Sequence, residues 1–473
     1  MMNSHADVWS RYADRSSFHG LSDIKYACKG LKILWTLALL GATTAALYNI
    51  QQLIRNYVNA NVSTSYNVLR GNVTLPALVI CPPTKFNYDY QKRFNISQEL
   101  MQFIGLSFVH SSADLYYVDA LNKILTKMDN KTMDLLENEL NKTLQTYSFS
   151  LAELIDELTW KCSDLVKYCT RSGFLMANCC ETQFRHIWTH YGKCFMKQPV
   201  VQYTDGPLQE NGVAIRMPGP SQLTPGVPDF MDNGVLATIL DGSEDNPDIN
   251  FDFWLIPTGR TRISIRQTSI HTLDQPNYKC LKEQGPLPTV TCTVDCLSNF
   301  LMCNCRQIYT QNFTYDTASL TNRNICTPRQ NVNCYFKVFS ESMNNTDMFV
   351  NTWTNCQKQC PKNCYSTMFQ STVTSTKLRT TSHYLSKEDL DEYSNNWVFI
   401  DLYHRSLDVL KIQGFYSLSL ADVICSIGGS LGLWIGGSLL SIFQIMVLLC
   451  MWICFGKPGM ALGSNESNEH QNK

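Results

Sequence analysis

Residues 418–455 read LSLADVICSIGGSLGLWIGGSLLSIFQIMVLLCMWICF, 38 residues in which Asp422 is the one charged side chain. A helix crosses about 30 Å of hydrocarbon with about 20 residues, so this run is tilted, broken or continued beyond the lipid. Its middle holds Gly428, Gly429, Gly432, Gly436 and Gly437, five glycines in ten residues, with Ser430 and Ser438 beside them. Small residues four apart let membrane helices approach closely, which by itself describes a dimer seam. Glycine at this density also lets a helix unwind, and irregular backbone at membrane depth survives only where it is buried in protein or lines a watery path. Freed carbonyls and the Ser438 hydroxyl are the groups with which a selectivity filter replaces the hydration shell of an ion. In a run longer than the bilayer, this predicts a pore helix. One such helix cannot enclose a pore, so an oligomer is expected.

Working outward, a second uncharged run, ILWTLALLGATTAAL, begins at Ile33 and extends to Ile54 through polar but neutral residues. That is long enough to span a bilayer, and the 30-odd polar and charged residues before it exclude a cleavable leader. Arg11, Arg15, Lys25, Lys29 and Lys32 outnumber Asp7, Asp14 and Asp23 ahead of this run, which orients the N-terminus to the cytoplasm. Two crossings return the tail to the same side and leave residues 55–417 outside. Asn61, Asn72, Asn95, Asn130, Asn141, Asn312 and Asn344 each open an Asn-x-Ser/Thr glycosylation sequon, and all seven fall in that external segment. The expected organisation is a cytoplasmic N-terminus (1–32), a first membrane helix (33–54), an extracellular cysteine-rich domain (55–417), a second membrane helix with the pore (418–455) and a cytoplasmic tail (456–473).

Sixteen of the 20 cysteines lie between Cys81 and Cys364. An even number in an oxidising compartment predicts disulfides, in preference to the zinc sites that Cys292-x3-Cys296, Cys356-x3-Cys360-x3-Cys364 and His186-x3-His190 superficially suggest. No metal and no cofactor is expected. Strand patterns occur at 76–81, 250–256, 261–267 and 397–402. Helical periodicity runs through 120–144 and 150–165, and the Gly/Pro-rich stretches 206–228 and 284–288 read as loops. A mixed α+β ectodomain stapled by disulfides is the expected fold class. With 39 basic against 40 acidic residues there is no basic face for nucleic acid, and 44% hydrophobic residues exclude a disordered chain. Gly428-Gly429-Ser430-Leu431-Gly432 matches the nucleophile-elbow pattern, but it sits inside a membrane run that contains no His, so no enzyme is expected.

These residues resemble the degenerin/epithelial sodium channel family, which includes acid-sensing and peptide-gated channels. Ser426-Ile-Gly-Gly-Ser-Leu-Gly-Leu-Trp-Ile-Gly-Gly-Ser438 is similar to its second-span signature, and Phe18-His19-Gly20 to its cytoplasmic His-Gly gating motif. Leu75-Pro-Ala-Leu-Val-Ile-Cys81, Tyr191-Gly-Lys-Cys194-Phe and Cys326-Thr-Pro-x-Gln-x3-Cys334 resemble the family's first extracellular strand and cysteine-rich block. The resemblance implies the pairs Cys81–Cys194, Cys280–Cys364, Cys292–Cys360, Cys296–Cys356, Cys303–Cys334 and Cys305–Cys326. Cys162, Cys169, Cys179 and Cys180 remain unassigned. It further implies a trimer with a palm, thumb, finger and knuckle ectodomain, a belt lined by Gly436, Gly437 and Ser438, and a His19-Gly20 segment folded beneath it. The implied activity is a sodium-permeable, amiloride-sensitive channel for monovalent cations in the plasma membrane, gated from its ectodomain, with protons, a peptide, mechanical force and constitutive opening all left open as the stimulus.

Three departures bear on mechanism. Where many members carry Asp before the Ile-Gly-Gly run this chain has Ser426, and where a Glu follows the belt it has Gln444. The inner pore therefore lacks a carboxylate ring, leaving Asp422 to form an outer ring that attracts cations and biases gating. In the stretch that carries the carboxylates of the proton-gated branch, residues 335–341, Glu341 alone is acidic, so that pocket is incomplete, and imidazoles such as His271 and His404 are the other side-chain type available to sense protons. Two other readings stand beside the channel: an accessory subunit of a heterotrimer, which suits the missing carboxylates, and a two-span cell-surface receptor.

Overall fold

The computed structural model describes residues 20–59, 61–109, 122–217, 234–240, 254–274, 279–281, 292, 296, 305–308, 324–337, 351, 354–356, 358–377, 395–438, 440–441, 443 and 445–446. The chain forms two compact units, one made of Met1–Thr64 with Gly414–Lys473 and the other of Ser65–Gln413.

The first unit is built on two apolar helices preceded by a short one, α1 (Leu21–Tyr26). Helix α2 runs Lys29–Val58 and is, among the described residues, the helix long and apolar enough to cross a membrane. It extends past both ends of the 33–54 run because Lys32 and Arg55 are good helix formers whose long stems reach toward polar surroundings. The hydroxyls of Thr36, Thr43 and Thr44 bond back to the carbonyls of Lys32, Leu39 and Leu40, which satisfies these three hydroxyls within the apolar helix. The 38-residue run does not form one helix. Helix α7, Leu420–Ile435, ends after 16 residues, and helical backbone resumes at Leu440.

The second unit holds most of the β-structure. An eight-stranded sheet has the order β1 (Val62–Arg70), β15 (Asp408–Tyr416), β12 (Gly259–His271), β14 (Trp397–His404), β9 (Asn211–Arg216), β4 (Val166–Arg171), β5 (Phe174–Met176), with β13 (Tyr365–Thr376) also paired to β12. A five-stranded sheet has the order β11 (Trp254–Pro257), β10 (Gly234–Leu240), β3 (Ala77–Cys81), β7 (Gly192–Lys197), β6 (Phe184–Thr189), and β2 (Val73–Leu75) pairs with β8 (Val200–Gln202). The period of two explains the layering. On β12, Thr261, Ile263 and Ile265 are buried while Arg260, Arg262 and Arg266 alternate with them on the other face. The buried face, with Val213, Ile215, Val398, Ile400 and Leu402, packs on Leu78, Ile80, Phe195, Val235 and Ile256 of the five-stranded sheet.

A second core lies under the helices α3 (Tyr88–Arg93), α4 (Gln98–Gly105), α5 (Asn130–Tyr147) and α6 (Leu151–Leu158). Leu100, Phe103 and Ile104, Met133, Leu136 and Leu140, and Leu154, Ile155 and Leu158 project at three- and four-residue spacing onto Phe86, Phe108 and Trp188. The periodic stretch 120–144 is interrupted at Asp129, whose carboxylate caps α5 through the Thr132 N–H at 2.7 Å. The stretch 150–165 likewise splits, because Thr159 and Lys161 adopt extended backbone after α6.

Other expectations need correction. The stretch 206–228 is not wholly a loop, because residues 211–216 form the buried strand β9. Val213 and Ile215 belong to the core, and Gly212 is where a Cβ would meet the Thr170 hydroxyl at 2.7 Å. His186 sits in β6 and His190 in the turn that follows it. Of 250–256 only the residues from Trp254 are described, and 284–288 lies outside the described residues.

Seven disulfides join described residues. The structure brings together Cys81 with Cys194, Cys280 with Cys364, Cys292 with Cys360, Cys296 with Cys356, and Cys305 with Cys326. It also pairs the four cysteines that spacing left open, as Cys162–Cys180 and Cys169–Cys179. Cys303, and with it the Cys303–Cys334 pair, lies outside the described residues.

Candidate functional site

The break in the second apolar run is encoded by two capping motifs placed back to back. Gly436 takes a left-handed backbone, φ 68°. Its N–H donates to the Gly432 carbonyl at 3.1 Å, and the Gly437 N–H reaches past it to the Leu431 carbonyl at 3.1 Å. The bond from Gly436 to Gly432 is the αL C-cap, here backed by the longer Gly437 bond, and it needs a residue without Cβ strain at the left-handed position. Immediately afterwards, the Ser438 N–H donates to Ser441 Oγ at 3.0 Å and the Ser441 N–H donates to Ser438 Oγ at 3.2 Å, a reciprocal cap that starts the next helical segment. One helix stops and another starts within three residues. In an unbroken helix the N–H groups of Gly437 and Ser438 would bond the carbonyls of Leu433 and Trp434; here both go elsewhere, so those carbonyls lose their intrahelical donors.

Gly437 and Ser441 are buried and Ser438 is exposed. A Cβ at Gly428 or Gly429 would meet nothing within 4 Å, so these glycines are not used for close packing inside one chain. Asp422 occupies the third position of α7, where its carboxylate accepts from the Ser419 N–H at 2.9 Å and the Ser419 hydroxyl at 2.6 Å, while Ser419 Oγ caps the Asp422 N–H. The side chain is exposed and therefore has a structural task in addition to its charge. Ser426 is exposed on the same helix; Gln444 and Glu341 lie outside the described residues.

Of the His-Gly motif, His19 lies outside the described residues. Gly20 is buried with φ 81°, and a Cβ there would come 3.1 Å from the Trp35 ring of α2. Among the sequons, Asn61, Asn72, Asn95, Asn130 and Asn141 are exposed, whereas Asn312 and Asn344 lie outside the described residues.

Sequence reasoning missed the polar groups buried in the sheet unit. Lys197, 0% exposed, donates to the carbonyls of Thr170 at 2.5 Å and Gly212 at 2.8 Å, and burial pushes its ammonium down to about 7. Asp401 accepts from Arg260 at 2.5 Å and lies 3.8 Å from Arg262, and Glu210 adds a longer contact to Arg260 at 3.6 Å. Burial also lowers His404, 0% exposed, from the ordinary imidazole range. Only the alternation of Arg260 and Arg262 with apolar neighbours pointed that way in the sequence, and it does not reveal the partner. His271 stacks on Tyr365 at 4.2 Å.

An apolar unit whose second helix is broken by a capped Gly-Gly-Ser turn, attached to a disulfide-rich β domain, defines a membrane channel subunit. The chain belongs to the amiloride-sensitive sodium channel family, whose model matches residues 12–448. It is 23% identical over 465 residues to a bile acid-sensitive ion channel of Mus musculus, covering 92% of this chain and 86% of that protein. It is 22% identical to acid-sensing ion channel 1C of Danio rerio over 474 residues (92% and 82% covered) and 22% identical to acid-sensing ion channel 2 of Rattus norvegicus over 472 residues (92% and 84% covered). A solved proton-activated chloride channel aligns with 89% of this chain at 8% identity and a TM-score of 0.29, which carries no weight for the fold.

Proposed function

We propose that this chain is a subunit of a trimeric, sodium-permeable, amiloride-sensitive cation channel of the plasma membrane, with both termini cytoplasmic and residues 55–417 outside. The membrane helices are the 33–54 and 418–455 segments, and Gly436, Gly437 and Ser438 form the narrow belt. The observation that carries this reading is the capped break at Gly436–Ser438, which strips the Leu433 and Trp434 carbonyls of their helical donors in the middle of an apolar run. Such carbonyls are tolerated at membrane depth where they face water or an ion. His19 and Gly20 act in gating from below, Asp422 supplies an outer ring of charge, and the exposed sequon asparagines carry glycans. An extracellular ligand, protons or a peptide, acts on the ectodomain; two of the relatives named above are acid-sensing channels.

A second reading is an accessory subunit of a heterotrimer. Ser426, on α7 where many members carry a carboxylate, favours it. Expression of the chain alone in oocytes, with amiloride and a pH series, tests both. An amiloride-blocked current altered by Gly437 or Ser438 substitution supports the homomeric channel. Silence alone with current on co-expression supports the accessory subunit, and silence in both settings despite surface expression rejects a conducting role.

A further inference from the structure

The outer face of the eight-stranded sheet carries a row of arginines on β12. Thr261, Ile263 and Ile265 point into the core, so Arg260, Arg262 and Arg266 project from the other side. On β14 that outer face holds Phe399, Asp401 and Tyr403, which alternate with the core-facing Ile400, Leu402 and His404. The two strands run parallel, with Arg262 opposite Asp401, Ser264 opposite Tyr403 and Ile265 opposite His404. Arg262 thus meets a carboxylate, 3.8 Å from Asp401, and Arg260 donates to the same carboxylate at 2.5 Å.

One step past the Ile265–His404 pair stand Arg266 and Arg405, two cations side by side. The Arg405 N–H donates to the Ile265 carbonyl at 3.1 Å, which holds the strands together to this point. Both side chains are exposed, and neither has a polar or charged partner among the described residues. The carboxylates of the neighbourhood are already engaged. Asp401 and Glu210 belong to Arg260, with Arg262 beside Asp401; Asp205 pairs with Arg70, and Asp408 takes Arg70 at 3.3 Å and the Ser406 hydroxyl at 2.6 Å. Like charges side by side on neighbouring strands are destabilising, and an anion seated between them removes that cost. On the other flank of Arg266, β13 sets Gln370 directly opposite it and Thr372 opposite Ser264. Both are exposed, and neither the Gln370 amide nor the Thr372 hydroxyl has a partner among the described residues.

We infer that Arg266 and Arg405 form a binding site for a phosphate monoester. A carboxylate has one plane and one charge, which a single guanidinium saturates through two parallel bonds. Two unpaired guanidiniums on adjacent strands, their backbones about 5 Å apart, match an anion with more than two oxygens and close to two charges. A phosphate monoester supplies three acceptor oxygens and a charge of about −1.5 to −2 near neutral pH. Arg266 and Arg405 grip the phosphoryl group from two sides, and the Gln370 amide donates to it from β13. Tyr403, half-buried in the adjoining row, offers its ring to the organic part of the ester, with the Thr372 hydroxyl on the far side of Ser264. Arg262 stays with Asp401 and bounds the site. In the topology proposed above the sheet unit is extracellular, so the ligand is a soluble monoester; the site itself depends neither on that topology nor on conduction.

Isothermal titration of the full-length chain in detergent, in a buffer free of phosphate and sulfate, tests this with phenyl phosphate as the probe. The wild type should bind it saturably. Arg266→Gln and Arg405→Gln should each weaken binding about tenfold, the loss of one charge-assisted contact. Arg171→Gln, which removes an exposed arginine on β4, should bind like the wild type. Phenyl sulfate, with a single charge, should bind more weakly, and so should inorganic phosphate, which has no ring for Tyr403. No saturable binding to the wild type, or unchanged affinity in either variant, overturns the site. Phenyl sulfate bound as tightly as phenyl phosphate overturns the dianion, and inorganic phosphate bound as tightly overturns the monoester. Phenylglyoxal labelling of the wild type, mapped by mass spectrometry, needs no substitution: phenyl phosphate should slow modification of Arg266 and Arg405 and leave Arg171 unaffected. Equal slowing at all three arginines, or none, overturns the site.

Discussion

Ser438 and Ser441 cap each other, the N–H of each donating to the hydroxyl of the other at 3.0 and 3.2 Å. Ser438 belongs to the sequence signature; Ser441 does not, yet it holds Ser438 in place. Losing a cap of this kind costs about 0.5–2 kcal/mol. In a current-carrying assembly, Ser441→Ala should change the permeability ratio between sodium and potassium in the same direction as Ser438→Ala, with Ser441→Thr closer to wild type. Bi-ionic reversal potentials measure this, and a Ser441→Ala ratio identical to wild type would show that the cap does not position the belt.

Gly436 should tolerate no side chain. Its left-handed backbone costs an L-residue about 1–2 kcal/mol, and relief of that strain lets α7 continue through the break and re-cover the Leu433 and Trp434 carbonyls. Gly436→Ala should therefore reach the cell surface in normal amount and carry much less current. Surface biotinylation alongside whole-cell recording separates this outcome from misfolding.

Asp422 permits its capping and its charge to be separated. Asparagine still accepts from Ser419 but carries no charge, so Asp422→Asn should keep the helix start and lower single-channel conductance at low salt. Alanine removes both, and Asp422→Ala should add a loss of stability of about 1 kcal/mol. Conductance unchanged in Asp422→Asn would assign the residue to capping alone.

Lys197 should make the stability of the ectodomain rise with pH. Burial puts the folded ammonium at about 7, whereas an unfolded lysine titrates near 10.4. Between these values the unfolded chain binds the extra proton, so stability from this group increases as pH rises from 7 toward 10 and is flat below 7. Thermal unfolding of the full chain in detergent at pH 7 and pH 9 should show that increment in the wild type and a smaller one in Lys197→Met. The variant also unpairs the carbonyls of Thr170 and Gly212, so its melting temperature at pH 9 should fall below that of the wild type.

Much of the fold was legible because it rests on local periodicity. Alternation in β12 and the three- and four-residue spacing in α6 follow from the geometry of a single element. Reading failed where one residue overrode the period, as at Asp129, which ends a periodic stretch by capping α5, and at Gly212, whose missing side chain lets β9 into the core despite its loop-like composition. The density of glycine announced a break in the second run. Its form, an αL glycine stop joined to a Ser–Ser start, was hidden because serine at Ser441 is not the Glu or Gln that usually completes such a cap.

By itself the amino-acid sequence determined the membership of this chain in a channel family and the presence of two uncharged runs around a cysteine-rich middle, because length, charge and ordered motifs are properties of the linear chain. Only the tertiary structure decided that Cys162 joins Cys180 and Cys169 joins Cys179, that Lys197 is sealed against two carbonyls, and that His404 meets Thr74 across the sheet with one nitrogen unpaired. Each of these depends on which distant segments the packing of the two sheets brings within a few ångströms, and neighbours along the chain carry no record of that distance.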